Sequence, residues 1–274
     1  MADAIAGQDE PVAIRTVALT RRYGAVTAVD ALDLTIRSGE FFGLLGPNGA
    51  GKSTTIKMLT TLLPPTSGSA TVAGIDVVAA PREVRRRLGY VPQLVSSDSG
   101  LTGRENLLLF ARLYGLPRAE QAPRAARALE FMNLTEVGDR LVRTYSGGMI
   151  RRLEIAQSML HRPPILLLDE PTVGLDPVAR RGVWDRLRDL SARLGTTVLL
   201  TTHDMEEADA LCDRIGLMHG GKLVALGTPA ELKAAVGPKA RLDDVFVHFT
   251  GGTLDQGGSY RDAARARETA RRLQ

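Results

Sequence analysis

Apolar positions between residues 12 and 46 fall at strand spacing. Val12, Ile14 and Val17 are followed by Val29, Leu32, Leu34 and Ile36, then by an unbroken apolar run over 41–45. This pattern predicts strands, with Gly24 and Gly39 marking turns between them. From residue 52 to 63 the pattern turns helical, and Pro64-Pro65 stops it. A short strand over 70–73 precedes an arginine-rich stretch over 82–87, and Pro92 disfavours helix at Val91. Residues 103–133 read as helical throughout, with Leu107, Phe110, Ala111 and Tyr114 at one spacing and Ala125, Leu129 and Met132 at another. A further helix is predicted over 147–161.

Residues 165–168 form a continuous apolar run of the kind shown by a parallel strand covered on both faces. Pro177 opens another helix with Asp176 as its N-cap, and 196–201 gives a second buried strand. Thr228-Pro229-Ala230-Glu231 is a capping box, and the amphipathic stretch 242–249 is expected to be core or a dimer contact. Strands alternating with helices argue an α/β fold on a mostly parallel sheet. A helix-rich block over about 95–160 interrupts the alternation. Residues 251–258 are expected to be a flexible glycine-rich linker and 261–274 a basic tail.

Composition adds limits. The chain has 274 residues, 44% hydrophobic and 24% charged, which excludes wholesale disorder. The net charge of +4 raises the question of a polyanionic partner. However, the tail carries Arg261, Arg265, Arg267, Arg271 and Arg272 against Asp262 and Glu268, a net of +3, which leaves +1 for the rest. With 4% aromatics there is also little material for stacking bases, so no nucleic-acid partner is expected. The single cysteine, Cys212, has apolar neighbours and predicts a buried side chain rather than a disulfide framework. No apolar run is long enough to span a bilayer. Asp3, Asp9 and Glu10 stand where a secretory signal would need basic and apolar residues, so the chain is expected on the cytoplasmic side.

Candidate chemistry concentrates in Gly46-Pro47-Asn48-Gly49-Ala50-Gly51-Lys52-Ser53, followed by Thr54. A strand before it and a helix after it make this a phosphate-binding loop. Its glycines let backbone N–H groups wrap an anion, and the helix N-terminus adds its dipole. Lys52 is suited to the β- and γ-phosphates and the Ser53 hydroxyl to Mg²⁺. Asp169 and Glu170 end a buried strand, where adjacent carboxylates are costly unless they serve a cation. Side chains alternate across a strand, so the two acids are free to take different tasks. Asp169 is assigned to Mg²⁺ and Glu170 to polarising the water that attacks the γ-phosphate.

Together with these motifs, further residues make the chain resemble the ATP-binding subunits of ABC transporters. Tyr145-Ser146-Gly147-Gly148-Met149 looks like that family's signature, Gln93 its Q-loop glutamine, and Gly174-Leu175-Asp176 its D-loop. His203 matches the switch histidine and Tyr23 the aromatic that stacks on adenine. The resemblance implies a RecA-like P-loop NTPase core with an antiparallel β subdomain and an inserted α-helical subdomain, within residues 1–250. It implies ATP and Mg²⁺ as cofactors, with Glu170, His203 and Gln93 catalytic, and Ser53, Gln93 and Asp169 at the metal. Tyr23, residues 46–54, Ser146, Gly147, Gly148 and Asp176 would bind nucleotide. It further implies a homodimer that closes over two ATP, and a separate transmembrane permease that holds it at the cytoplasmic face of the membrane.

Two flanks depart from the family's commonest signature, with Tyr145 in place of Leu and Met149 in place of Gln; the contact expected near the ribose is the one affected. Leu101-Thr102-Gly103-Arg104-Glu105-Asn106-Leu107, the signature, and Leu242-Asp243-Asp244-Val245-Phe246 resemble the daunorubicin-resistance branch of drug exporters. A rival reading is an ABC ATPase acting on nucleic acid or the ribosome. It would call for long coiled coils or tandem cassettes, and the chain has one set of motifs and no sustained heptads. Kinases and GTPases share only the phosphate loop.

Overall fold

The structure is a computed structural model and describes residues 11–251. Along the chain run β1 (Val12–Tyr23), β2 (Val26–Arg37), β3 (Phe41–Leu45), α1 (Lys52–Leu59), β4 (Ser67–Val72), β5 (Ile75–Asp76), α2 (Pro81–Arg86) and β6 (Leu88–Val91). Then come α3 (Gly103–Leu113), α4 (Arg118–Phe131), α5 (Gly147–Met159), β7 (Ile165–Asp169), α6 (Pro177–Leu194), β8 (Thr197–Thr202) and α7 (Met205–Leu211). The described chain closes with β9 (Arg214–His219), β10 (Lys222–Gly227), α8 (Pro229–Val236) and α9 (Leu242–Thr250).

Two sheets form. One is antiparallel, in the order β2-β1-β4-β5; the other runs β10-β9-β3-β8-β7-β6 and is parallel except for β10. The central parallel strands β3, β7 and β8 are buried at every position. Their pleat explains why. Leu166 and Leu168 join Val198, Leu200 and the helices α3 to α6 in one core. Ile165 and Leu167 face the other way, into a core with α1 and the antiparallel sheet. Because β3, β6, β7 and β8 are parallel, their C-terminal ends share one edge, where α/β folds place their sites.

Several boundaries differ from expectation for local reasons. The first helix ends at Leu59 rather than at 63, because Thr61 turns left-handed (φ 62°) before the prolines are reached. The stretch 103–133 is two helices: Gly115 adopts φ 69°, and Pro117 caps the second. The strand expected over 70–73 begins at Ser67, the one over 196–201 shifts by a residue, and the helix expected to reach 161 ends at Met159. The Thr228–Glu231 capping box is present, with bonds of 2.8 and 3.1 Å. Residues 242–249 lie on α9, whose Leu242, Val245 and Phe246 are buried. The expected linker and tail lie outside the described residues beyond Gly251. Cys212 is buried against Gly43, where an added Cβ would sit 2.6 Å from its sulfur, and burial pushes its thiol pKa well up.

Candidate functional site

The loop between β3 and α1 needs its glycines for steric reasons. Gly49 and Gly51 lie at φ 81° and 102°, and an added Cβ would meet the Met218 carbonyl at 2.3 Å from Gly46 and the Ala28 carbonyl at 2.4 Å from Gly51. Lys52 opens α1 and is only 4% exposed. Its Nζ donates to the carbonyls of Gly46 (2.7 Å) and Pro47 (3.0 Å) and lies 3.4 Å from Glu170 Oε1. Burial lowers its pKa, with Glu170 opposing. Ser53 Oγ donates to Asp169 Oδ1 at 3.0 Å. Asn48 is exposed, Ala50 buried and Thr54 half-buried.

The two acids leave β7 by different routes. Asp169 is its last residue, and Oδ1 also accepts from Thr201 Oγ1 on the neighbouring β8 at 2.6 Å. Glu170 does not continue the strand pleat, as the alternation of side chains predicted. It turns left-handed (φ 49°), held there by its N–H donating to the Thr201 carbonyl and hydroxyl, each at 3.1 Å. Its carboxylate, 7% exposed, receives the Gln93 amide at 3.3 Å and lies 3.4 Å from His203 Nδ1. The His203 hydrogen bond lowers the Glu170 pKa, burial opposes, and Lys52 adds to the lowering. The same bond raises His203. Burial, with the Asp169 charge, pushes the nearby Tyr90 up to about 12.

Direct contacts thus bring together Lys52, Ser53, Gln93, Asp169, Glu170 and His203. The other predicted residues are placed around them. Ser146 caps α5, with its Oγ accepting from the Met149 N–H at 3.3 Å. Gly147 and Gly148 pack on the D-loop and α6, where added Cβ atoms would meet Leu175 at 3.2 Å and Ala179 at 2.7 Å. Asp176 accepts from the N–H groups of Val178 and Ala179, so its carboxylate caps α6. Tyr23 ends β1, nearly half exposed, with the Arg21 guanidinium 4.7 Å from its ring centre. His161 is structural as expected, bonded to the Leu88 carbonyl and stacked on Tyr114.

Sequence reasoning missed Thr201, which orients both acids, and Arg151, which donates to the carbonyls of Pro92 and Gln93. The polar Thr201-Thr202 ending of an apolar strand, just before His203, was the available signal. The donor set fits Mg²⁺. Ser53 and Asp169 offer hard oxygens side by side. Mg²⁺ takes such a site: one or two protein oxygens, completed by phosphates and water rather than a protein cage.

The family model described as ABC transporter matches residues 29–173. The chain belongs to the ABC transporter family. The daunorubicin/doxorubicin resistance ATP-binding protein DrrA of Streptomyces peucetius is 51% identical over 225 residues, spanning 82% of this chain and 68% of that protein. A solved ATP-binding subunit of an ABC transporter superposes with a TM-score of 0.77 at 32% identity, covering 86% of this chain and 99% of that one. A dimeric ATP-binding cassette in a post-hydrolysis state with ADP and Pi gives 0.70 at 27% identity, covering 78% and 98%. This ABC subunit is an ATPase with the P-loop α/β fold. No helix among its described residues is long and apolar enough to cross a membrane.

Proposed function

We propose that this ABC subunit is the motor of a drug exporter and that Glu170 is its catalytic carboxylate. The observation that carries the reading is the convergence of Lys52, Gln93 and His203 on that carboxylate, beside the Ser53–Asp169 pair. The loop N–H groups and the desolvated Lys52 ammonium hold the phosphates of ATP, where low dielectric strengthens each contact. Ser53 and Asp169 would hold Mg²⁺, which when bound would offset charge developing on the transferred phosphoryl group. Glu170, kept ionised by His203 and Lys52, orients and deprotonates the attacking water, and Gln93 fixes its second oxygen. His203 sits at the end of β8 as a donor toward the γ-phosphate.

Ser146, Gly147 and Gly148 form a second anion nest at the start of α5, without a lysine of its own. In a homodimer it would close over ATP held by the other copy's phosphate loop. Motion of the pair would act on a separate membrane-spanning permease at the cytoplasmic face. The likeness to a daunorubicin/doxorubicin resistance protein supports an amphipathic antibiotic as cargo.

Glu170→Gln tests the reading. It should leave ATP binding within about twofold, reduce turnover at least about a hundredfold, and trap an ATP-bound dimer on gel filtration. Lys52→Ala should instead weaken nucleotide binding itself. Hydrolysis by Glu170→Gln at the starting rate would remove Glu170 from the role. Co-expression with the permease should lower daunorubicin accumulation in cells, and Glu170→Gln should abolish that effect.

A further inference from the structure

Arg151 and Glu154 form an ion pair at 3.1 Å on α5, the helix that starts at the signature, and their side chains are only 8% and 1% exposed. Enclosing two charges is costly and is tolerated only when their remaining hydrogen-bonding positions are filled. Here they are filled by a single loop. Arg151 donates from Nη1 to the Pro92 carbonyl at 2.8 Å and from Nη2 to the Gln93 carbonyl at 3.2 Å. Glu154 accepts from the Ser96 N–H and, at 3.0 Å, from its hydroxyl. One turn further, Gln157 accepts from the Ser97 hydroxyl at 3.2 Å.

The loop is therefore gripped on both sides of Leu94 and Val95, which are 82% and 62% exposed and contribute little apolar packing to hold it. Gln93, whose amide meets Glu170, lies inside the grip. We propose that Arg151, backed by Glu154, is a positioning residue for hydrolysis: it holds the backbone at Gln93 so that the amide meets the Glu170 carboxylate. The planar fork serves two carbonyls at once, which a lysine ammonium on its flexible stem does not reproduce. Burial lowers the Arg151 pKa, with Glu154 as the main opposing influence. The inference rests on Gln93 serving Glu170.

The test is a double-mutant cycle on the full chain, with ATPase kinetics as the readout. Arg151→Lys should lower kcat about tenfold with KM for ATP within about twofold, because the phosphate loop is untouched. In a Gln93→Ala background the same change should alter kcat by less than about twofold, since the two residues then act as one unit. A merely structural Arg151 would instead multiply its loss onto that of Gln93→Ala, and that result overturns the proposal. So does an unchanged kcat for Arg151→Lys. An unchanged kcat for Gln93→Ala would instead overturn the underlying role of Gln93, and the proposal with it. Should Arg151→Lys fail to fold, Arg151→Met/Glu154→Leu replaces the whole pair by apolar groups, an exchange that stability often tolerates. The same cycle then applies with the same expected and overturning results.

Discussion

Thr201 offers the sharpest test of how the acids are held. Thr201→Val keeps the β-branched shape that suits a buried strand. It replaces with a methyl the hydroxyl that donates to Asp169 at 2.6 Å and accepts from the Glu170 N–H at 3.1 Å. Neither partner is orphaned: Asp169 retains the Ser53 hydroxyl at 3.0 Å and the Glu170 N–H retains the Thr201 carbonyl at 3.1 Å. The main loss is then the hydrogen bond to a buried carboxylate, about 1.5–3 kcal/mol, since the Glu170 N–H gives up only one of its two acceptors. A methyl does not approach an oxygen to 2.6 Å, so Asp169 must also shift, which places the cost in the upper part of that range. For a chain of this size each kcal/mol moves the thermal midpoint by about 2–4 °C, so a drop of about 5–10 °C is expected. Urea unfolding of the full chain without nucleotide gives the free energy directly. Mg²⁺ titration of the ATPase should show a higher half-saturation, because the shifted Asp169 carboxylate is no longer fixed by Thr201 beside Ser53. Thr201→Ser keeps the hydroxyl and should lose only about 1 kcal/mol for its methyl. A Thr201→Val chain within about 0.5 kcal/mol of the starting protein, with unchanged Mg²⁺ half-saturation, would refute the assigned role.

The Glu170–His203 pair should show in a pH titration. Glu170 is lowered from 4.5, so its contribution is present above 4.5 and is lost as pH falls through the lowered value. His203 is raised from 6.5, so its contribution is full below 6.5 and is lost as pH rises through the raised value. An NMR titration should place His203 above 6.5 and return it toward 6.5 in Glu170→Gln; a value at or below 6.5 with Glu170 intact contradicts the contact. Gly103→Ala probes the signature flank, because its Cβ would lie 2.3 Å from the Tyr145 hydroxyl, which donates to the Val137 carbonyl at 2.7 Å. It should destabilise by about 1–3 kcal/mol, and Tyr145→Phe should recover part of that loss in urea unfolding. A double variant no more stable than Gly103→Ala would show that the clash is relieved elsewhere.

The parts legible in the sequence share one property, which is that a backbone or desolvation demand leaves few residue choices. Gly46 and Gly51 face carbonyls within 2.4 Å of any Cβ, so the loop advertises itself. Asp169 and Glu170 stand out because charge follows an apolar strand. Asp176 and Thr228 stand out because caps restrict residue type. Element boundaries were less visible where a non-glycine carries the turn. Thr61 and Glu170 adopt left-handed backbone that their residue types do not announce, and at Glu170 it is the contact with Thr201 that holds it. Tyr145 looked like a weakened signature, yet its hydroxyl binds the turn at Val137 and occupies space that Gly103 leaves open.

The roles of Thr201 and Arg151 were illegible for a different reason, although the polar ending at Thr201 itself was visible. Thr201 meets Asp169 because β8 pairs β7 with those two residues opposite each other, and a parallel register across an intervening helix has no local signature. Arg151 and Glu154 sit three residues apart on a helix, a spacing that ordinarily marks a solvated surface pair. Only the fold of 92–96 back over α5 turns them into buried groups with a loop to hold. Sequence motifs therefore identify the groups suited to touch nucleotide, while the groups that aim them are set by pairings between distant segments. Loss of an aiming group should accordingly lower kcat while leaving nucleotide affinity largely intact, which separates it in kinetics from loss of a phosphate contact such as Lys52.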